Sequence, residues 1–259
     1  MPSQGEGTGA LFIVGTGPGA PDLLTARAEA AIRSSRYVIG NSLYIGQIQH
    51  LLEGKEVIES SMGSEVERAK EAVKLARYSR VSIVSGGDPG VYGMAGIVLE
   101  VLERSGSEIP FEVVPGITAA TAAAALAGSP LTGDFVVLSL SDLLTPWVVI
   151  EKRLHAAFSM KIPVVLYNPR SRARKERLST AIGIARGYLG DETPVACARD
   201  VSRKGEAIRI TTLERFEELE NLVDMHSIVI IGGEESYIWR EKEHERIITR
   251  RGYQRKYSY

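Results

Sequence analysis

Short runs of β-branched and other apolar residues alternate along the chain with longer stretches whose apolar positions recur at helical spacing. Runs such as Ala10–Val14 and Val81–Val84 are typical of buried strands. The stretch Ser64–Tyr78 is typical of an amphipathic helix, and Ser64 followed by Glu67 predicts a capping box at its start. Because strands and helices alternate, the pattern predicts βαβ units, a mostly parallel sheet and an α/β fold class.

The same periodicities give the full set of predicted elements. The predicted strands are Ala10–Val14, Tyr37–Ile39, Val81–Val84, Phe111–Val114, Phe135–Ser139, Pro163–Tyr167, Pro194–Ala198, Ala207–Ile210 and Ser227–Ile231. The predicted helices are Pro21–Ser34, Ser42–Leu52, Ser64–Tyr78, a helix that ends at Leu102, Thr118–Ala127, Trp147–Phe158, Ala173–Tyr188 and Leu213–Leu219. The connection between Val195 and Ile210 is short, which predicts an antiparallel pair.

The pattern changes after Pro115, where an Ala-rich stretch begins, and this change predicts two α/β domains with a ligand cleft between them. The expected domains are residues 10–117 and 118–245, preceded by a disordered lead-in over residues 1–9 and followed by a basic tail over residues 246–259. The longest early apolar run is far below the roughly 20 residues of a membrane helix. The first nine residues lack the positively charged N-terminal region that is typical of a signal peptide. We therefore expect a cytoplasmic protein without a membrane partner.

The formal net charge of −1 over 259 residues arises because basic and acidic parts of the chain nearly cancel. Two basic segments, Asn168–Leu178 and Arg246–Tyr259, are set against an acidic remainder. An acidic body argues against a nucleic-acid partner. The arginines of the first segment follow a predicted strand, so they could clamp carboxylates or form the solvated start of a helix. The single cysteine, Cys197, excludes an internal disulfide, fits a reducing compartment and is expected in the core.

Three glycine-bearing loops follow predicted strands. The first, Gly15-Thr16-Gly17-Pro18-Gly19, matches the relaxed dinucleotide-binding pattern G-x-G-x-x-G/A at Gly15, Gly17 and Ala20. No acid that could hold a ribose follows the second strand, which favours a tight turn or a non-nucleotide role. The second loop, Ser85–Gly93, places Asp88 at the end of a strand, where open α/β sheets bind ligands. Its carboxylate could accept from ribose hydroxyls or an ammonium group, or could form an Asx turn.

The third loop, Val113–Ala120, runs from a strand through Pro-Gly into the Ala-rich helix, where Thr118 could cap the helix and contact a ligand. Metal and nucleophile chemistry are not indicated, because the four histidines lie far apart and no G-x-S-x-G motif is present. Asp142 and Asp200 follow strands and could contact a substrate or be solvated loop acids.

Together these loops resemble the tetrapyrrole methylase family, the class III S-adenosylmethionine-dependent methyltransferases. The matching pieces, in family order, are Val14–Gly19 with Leu24-Thr25, Gly86–Pro89 and Val114–Ala120. The resemblance covers about Ala10 to Gly233. It implies two α/β domains, S-adenosylmethionine in the cleft with S-adenosylhomocysteine as product, no protein-bound metal, and a homodimer.

Within the family the chain is most similar to the C-17 methyltransferases that act on precorrin-3B or cobalt-factor III in cobalamin synthesis. The pieces that carry this are Gly40–Ile45, Asp88–Gly96, Leu140–Trp147, Tyr167–Ser171 and Arg251–Tyr253, although Arg250 stands where that tail motif carries a proline. The resemblance implies methylation at carbon 17 with contraction of the macrocycle. It leaves open whether the tetrapyrrole substrate carries cobalt.

Mapped by motif, the resemblance assigns residues to three roles. Contacts with the methyl donor are expected from Pro18, Gly86, Gly87, Asp88, Val91, Thr118, Ala119, Asn168 and Val201. Contacts with the substrate are expected from Thr16, Asn41, Ser42, Tyr44, Asp142 and Arg170. Candidates for orienting the ring contraction are Asp142, Tyr44 and Arg170.

Methyl transfer needs alignment of a nucleophile with the sulfonium methyl group and exclusion of water, so no catalytic triad is expected. The substrate implied by the resemblance carries many carboxylates, and the arginines around Arg170 could bind them. The alternatives are another methylase of the corrin pathway, a ribosomal-RNA methylase, a dinucleotide-dependent oxidoreductase and a non-catalytic tetrapyrrole carrier.

Overall fold

The computed structural model describes residues 9–170, 176–219, 222–242 and 244–259. The chain divides into two compact units, with the boundary between Ala119 and Ala120. The division falls near the point where the Ala-rich stretch begins. None of the helices in these described ranges combines the length and the apolar character needed to cross a membrane.

The first unit is built on a five-stranded sheet in which every neighbouring pair is parallel. Its strands are β1 (Ala10–Gly15), β2 (Tyr37–Asn41), β3 (Glu56–Ser60), β4 (Arg80–Ser85) and β5 (Phe111–Val114). Their order across the sheet is β3-β2-β4-β1-β5. Since the strands are parallel, their carboxyl ends all lie at one edge of the sheet, where ligands bind in folds of this class.

Helices cover both faces of this sheet, which explains why its central strands are apolar on both sides. The helices are α1 (Ala26–Ser34), α2 (Ser42–Gln47), α3 (Glu65–Ala76) and α4 (Ala95–Arg104), and α5 (Ala119–Ala127) begins at the unit boundary. Leu11 and Ile13 of β1 pack with α3 and α4 on one face. Phe12 and Val14 pack with α1 and α2 on the other.

The second unit has a five-stranded sheet of order β10-β9-β11-β8-β7. Its strands are β7 (Val136–Ser139), β8 (Val164–Tyr167), β9 (Pro194–Arg199), β10 (Ala207–Thr212) and β11 (Ser227–Ile231). Helices α6 (Trp147–Ser159) and α7 (Glu176–Arg186) contribute to its core. A smaller sheet of order β12-β13-β6 joins β6 (Gly128–Ser129), β12 (Ser236–Glu241) and β13 (His244–Thr249).

The mostly parallel sheet predicted from the pattern up to Val114 is confirmed in the first unit, whereas the sheet of the second unit is mixed. There only β7 and β8 pair in parallel, while β8–β11, β11–β9 and β9–β10 are antiparallel. The antiparallel pair predicted between Val195 and Ile210 is confirmed. The basic tail predicted from Arg246 begins instead inside β13, because that residue pairs with Trp239 across a hairpin.

Several predicted helices are shorter than expected. The stretch Pro21–Ser34 forms a 3₁₀ turn over Pro21–Leu23 and a separate helix α1, whose first turn is capped by the Thr25 hydroxyl accepting from Ala28 N at 3.1 Å. Helix α2 ends at Gln47, and a second 3₁₀ turn follows over Gln49–Leu51. The helix predicted over Leu213–Leu219 is only the 3₁₀ turn Phe216–Glu218. The first residues of the helix predicted over 173–188 lie outside the described residues.

The capping box predicted at Ser64 and Glu67 is wrong. Ser64 occupies the N-cap position of α3 but makes no side-chain capping hydrogen bond. Instead Oε1 of Glu65 accepts from Gly63 N at 3.0 Å. The same oxygen contacts the Arg68 guanidinium at 3.3 Å, so a carboxylate one residue into the helix organises this end.

Candidate functional site

The loops that follow four strands of the first unit emerge together at the carboxyl edge of its parallel sheet. They follow β1, β2, β4 and β5. The predicted ligand residues in these loops, or in the strand and helix ends next to them, are Thr16, Pro18, Asn41, Ser42, Tyr44, Gly86, Gly87, Asp88, Val91, Thr118 and Ala119. The fold therefore places residues from distant parts of the sequence along one edge.

The first two glycine-bearing loops are joined by a reciprocal pair of backbone hydrogen bonds. Gly17 N donates to Gly87 O at 3.1 Å, and Gly87 N donates to Gly17 O at 2.8 Å. Both glycines have positive φ, +72° and +67°, which disfavours any residue with a side chain. Thr16, nearly buried, adds hydrogen bonds from its backbone N (2.9 Å) and its hydroxyl (3.3 Å) to Ser85 O.

The third loop packs against the other two through glycine backbones. A Cβ atom added at Gly116 would lie 2.2 Å from Gly87 O, and one added at Gly15 would lie 2.6 Å from the same oxygen. Distances below 3 Å between such atoms are not tolerated without movement of the backbone. The three loops can therefore approach this closely only because Gly15 and Gly116 have no side chains.

Asp88 connects the second and third loops. Its Oδ1 accepts from Gly90 N at 2.8 Å, which is the Asx turn that the sequence allowed, and its Oδ2 accepts from Gly116 N at 3.0 Å. A carboxylate offers about four acceptor positions, so these two bonds leave capacity for a ligand. Asp88 thus fixes the loop geometry, and it is partly exposed at the same edge.

The predicted donor residues of the second and third loops adjoin one another. A Cβ at Gly87 would lie 3.6 Å from Thr118 Cα and 3.7 Å from Ala119 N. The neighbouring Gly86 lies under the ring of Tyr44, since a Cβ there would come within 2.2 Å of Tyr44 Cε1. The edge thus combines backbone polar groups, a carboxylate, a threonine hydroxyl and an aromatic ring, which are suitable partners for a ligand with hydroxyl, ammonium and carboxylate groups.

The remaining predicted site residues of the first unit differ in their burial and hydrogen bonding. Asn41 is nearly buried and caps α2, because its Oδ1 accepts from Leu43 N at 2.9 Å. It therefore has a structural role in the loop where a dinucleotide fold would carry its ribose-binding acid. Ser42 is exposed at the start of α2, Pro18 is buried, and Val91 N donates to Asp88 O at 3.2 Å.

In the second unit, Asp142 lies in the loop after β7 and is paired with an arginine that the sequence analysis did not single out. Arg177, on the first turn of α7, contacts Asp142 Oδ2 at 3.0 Å. Its Cζ lies 4.2 Å from the centroid of the Trp147 ring, at the start of α6. Arg177 is one-third exposed, so it joins two elements while still facing solvent.

The other predicted residues of this unit lie in loops after strands. Asn168 has a φ of +51°, and its Nδ2 donates to Ser139 Oγ at 2.9 Å, which links the ends of β8 and β7. Val201 is buried between two residues of positive φ, Asp200 and Ser202. Arg170 is partly buried, and the rest of its basic cluster up to residue 175 lies outside the described residues.

Tyr167, the last residue of β8, makes a polar contact within the second unit that sequence reasoning missed. Its hydroxyl accepts from Ala120 N at 2.8 Å, in the first turn of α5. The first turn of a helix has backbone N–H groups without intrahelical partners, so this hydroxyl satisfies one of them. The tyrosine is visible in the sequence, but its partner lies 47 residues away.

Other features lie away from these loops. A surface groove of about 460 Å³ is lined by β10 and the β12–β13 hairpin and contains none of the predicted site residues. Asp200 is paired with Arg199, with an N–O distance of 3.3 Å.

Cys197 is buried, as predicted, and burial together with the charge of Asp224 raises its thiol pKa to about 11. In the described ranges, no three His, Cys, Asp or Glu side chains are grouped as metal ligands.

The chain is similar to known proteins in both sequence and structure. Residues 10–217 match the family Tetrapyrrole (Corrin/Porphyrin) Methylases. The chain is 38% identical to the probable cobalt-factor III C(17)-methyltransferase of Salmonella typhimurium strain LT2, covering 94% of this chain and 99% of that protein. The crystal structure of the methyltransferase CobJ superposes with a TM-score of 0.85 and 32% identity, covering 92% of this chain and 99% of that chain.

Some relatives are much longer than this chain. The cobalamin biosynthesis protein CbiHC of Archaeoglobus fulgidus is 41% identical over the whole of this chain, which covers 55% of that protein. The cobalt-factor III methyltransferase of Priestia megaterium is 39% identical over 96% of this chain, which covers 46% of that protein. The chain thus spans about half the length of these two relatives.

Proposed function

The chain belongs to the tetrapyrrole methylase family, and on that basis we propose that it transfers a methyl group from S-adenosylmethionine to carbon 17 of a corrin precursor, with contraction of the macrocycle. The substrate would be precorrin-3B or cobalt-factor III. Relatives whose names carry this activity are 34% to 43% identical to the chain. The corresponding pathway is cobalamin biosynthesis.

One structural observation supports the donor site in particular. The Gly17–Gly87 hydrogen bonds and the Asp88–Gly116 hydrogen bond lock three loops together at the carboxyl edge of a parallel sheet. Glycines there allow a ligand to approach the backbone closely. The donor, when bound, supplies an electrophilic methyl group on a sulfonium. The loops would contribute binding, alignment and exclusion of water.

The second unit would contribute to orienting the macrocycle. Asp142, Arg170 and, from the first unit, Tyr44 remain our candidates for the ring-contraction step, in which a carboxylate of the substrate adds to the ring. Because Asp142 contacts Arg177, we propose that Asp142 positions the Arg177 side chain. A guanidinium suits the carboxylates of the substrate, since it recognises them through paired N–H donors.

The proposal extends to assembly and location. We propose a homodimer in the cytoplasm, as expected from the family resemblance. The free thiol of Cys197 suits a reducing compartment. Sedimentation velocity of the purified chain tests the dimer, since a monomer over the micromolar range would contradict it.

The deciding experiment is incubation of the protein with S-adenosylmethionine carrying a ¹³C-methyl group, in parallel with cobalt-factor III and precorrin-3B. We expect mass spectrometry to show the gain of one methyl group, and NMR to place the label at carbon 17. A label at another carbon would indicate a different methylase of the pathway. Absence of transfer to both substrates, while the donor binds, would contradict the proposal.

A further inference from the structure

The loop between β7 and α6 exposes an unusual amount of apolar surface. Leu143 is 78% exposed, Leu144 is 98% exposed, and Val148 in the first turn of α6 is 70% exposed. Single exposed apolar residues are common on protein surfaces, but three within six positions form a local patch. We call Leu143, Leu144 and Val148 the leucine patch.

The loop that carries the patch is closed by one side chain. Arg177 contacts Asp142 at one end of the loop, with an N–O distance of 3.0 Å, and the Trp147 ring at the other end, 4.2 Å from its centroid. Trp147 also packs against the core of the second unit. The exposed leucines therefore project from a loop whose two ends are tied to the same guanidinium, which reduces the entropy lost when a ligand binds.

Charge lies next to the apolar surface. The Arg177 guanidinium has five N–H donors, more than its contact with Asp142 uses, and one-third of its side chain is exposed. The patch also follows β7 directly, and β7 pairs in parallel with β8, so the leucines share an edge of the sheet with Asn168 and Arg170. A ligand that fits this surface has a flat or extended apolar face and carboxylates at its periphery.

We propose that the leucine patch and Arg177 form a substrate subsite, with Leu143, Leu144 and Val148 against the apolar face of the tetrapyrrole and Arg177 bound to one of its peripheral carboxylates. This inference rests on the proposed function. The amphiphilic character of the surface matches a polycarboxylated macrocycle, since a wholly apolar partner would leave the exposed guanidinium without a role.

The test is the double variant Leu143→Ser/Leu144→Ser, compared with Met160→Ser. Met160 is 53% exposed and lies just beyond the opposite end of α6, so it controls for loss of an exposed apolar side chain. The affinity of cobalt-factor III is measured by absorbance titration, that of S-adenosylmethionine by calorimetry, and the oligomeric state by sedimentation velocity. Each protein is used as the full chain.

We expect the Kd for cobalt-factor III to rise about tenfold or more in the double variant, because burial of two leucines is lost. We expect the Met160→Ser protein to stay within about twofold of the wild type. Donor affinity and sedimentation should be unchanged in both. Leu144→Met, which keeps an apolar side chain, should retain most of the substrate affinity, and Arg177→Met should weaken it.

An unchanged Kd in the double variant would overturn the subsite. Dissociation to a smaller species with unchanged substrate affinity would overturn it too, and would show that the patch binds a second copy of the chain. Wild-type protein that binds neither cobalt-factor III nor precorrin-3B would remove the proposed function together with this inference. Normal binding by the wild type with no effect of the leucine substitutions removes this inference alone.

Discussion

The backbone N–H of Gly116 donates to Oδ2 of Asp88 at 3.0 Å, across 28 residues of sequence. The other carboxylate oxygen accepts from Gly90 N at 2.8 Å. The aspartate therefore shapes two loops at once, and the role in donor binding that we propose for it would include holding them in position.

Replacement of Asp88 tests this dual role. Asp88→Ala leaves two backbone N–H groups without their acceptor, so we expect unfolding free energy to fall by about 1–3 kcal/mol and calorimetric affinity for S-adenosylmethionine to be lost. Asp88→Asn keeps one carbonyl oxygen, so its losses of unfolding free energy and of donor affinity should both be smaller. Glu103→Ala, which removes an exposed charge in α4, is the control. Unchanged donor affinity in Asp88→Ala would contradict the assignment.

The glycine contact between the loops makes a second prediction. In Gly116→Ala the new methyl group would lie 2.2 Å from Gly87 O, so the loops must separate. We expect a loss of about 2–4 kcal/mol in stability and loss of donor binding. Gly96→Ala is matched to it, because that glycine lies in α4 with no atom within 4 Å of the added Cβ. This control should be neutral or more stable by up to about 1 kcal/mol. Equal effects of the two substitutions in urea unfolding would refute the close packing.

The contact between Tyr167 and α5 predicts a difference between two tyrosines. Tyr167→Phe removes the hydroxyl that accepts from Ala120 N at 2.8 Å, and should lower the unfolding free energy by about 0.5–1.5 kcal/mol. Tyr188→Phe removes a hydroxyl that contacts His155 Nδ1 at 3.1 Å in an exposed setting, and should cost less than that. Urea unfolding of both variants checks this, and a larger loss for Tyr188→Phe would be inconsistent with it.

The buried thiol of Cys197 predicts a loss of stability in alkali. Burial raises its pKa from 9.0 to about 11, with the charge of Asp224 adding to the effect. Between these values the thiol of the unfolded chain ionises while that of the folded chain stays neutral. The unfolded state then binds fewer protons, so stability falls as pH rises.

The measurement is urea unfolding of the wild type and Cys197→Ala at several pH values from 8 to 11. Relative to the variant, the wild type should lose up to about 3 kcal/mol over this range. All other side chains are common to both proteins, so the difference isolates the thiol. A difference that stays constant with pH would show that the thiol does not ionise on unfolding.

The sequence predicted strands best where both faces of the sheet are covered. The cores of β1 and β4 were placed correctly because a strand buried on both sides is a continuous apolar run. Strand β3, Glu56–Ser60, was missed because it is an edge strand with charged residues and lacks such a run. The β12–β13 hairpin was missed for a related reason, since charged residues interrupt the apolar positions in the sequence of its strands.

For the candidate site, the glycine-bearing loops and Asp88 could be identified from residue type and from their places after strands. Their mutual contacts could not, because the Gly17–Gly87 and Asp88–Gly116 hydrogen bonds depend on which strands become neighbours. Arg177 was assigned only to a basic cluster, since its contacts with Asp142 and Trp147 arise from the packing of α6 and α7.

The strand order of the first unit has a consequence for how the protein matures. Gly15 ends β1, and Gly87 and Gly116 follow β4 and β5. Strand β1 lies between the other two in the sheet although it comes first in the chain. The three loops can meet only after the last of these strands has been added, and such long-range parallel pairings form slowly. The methyl donor would therefore bind only to chains that have completed this sheet. Donor affinity would then appear only once β5 has joined the sheet, and would not build up strand by strand.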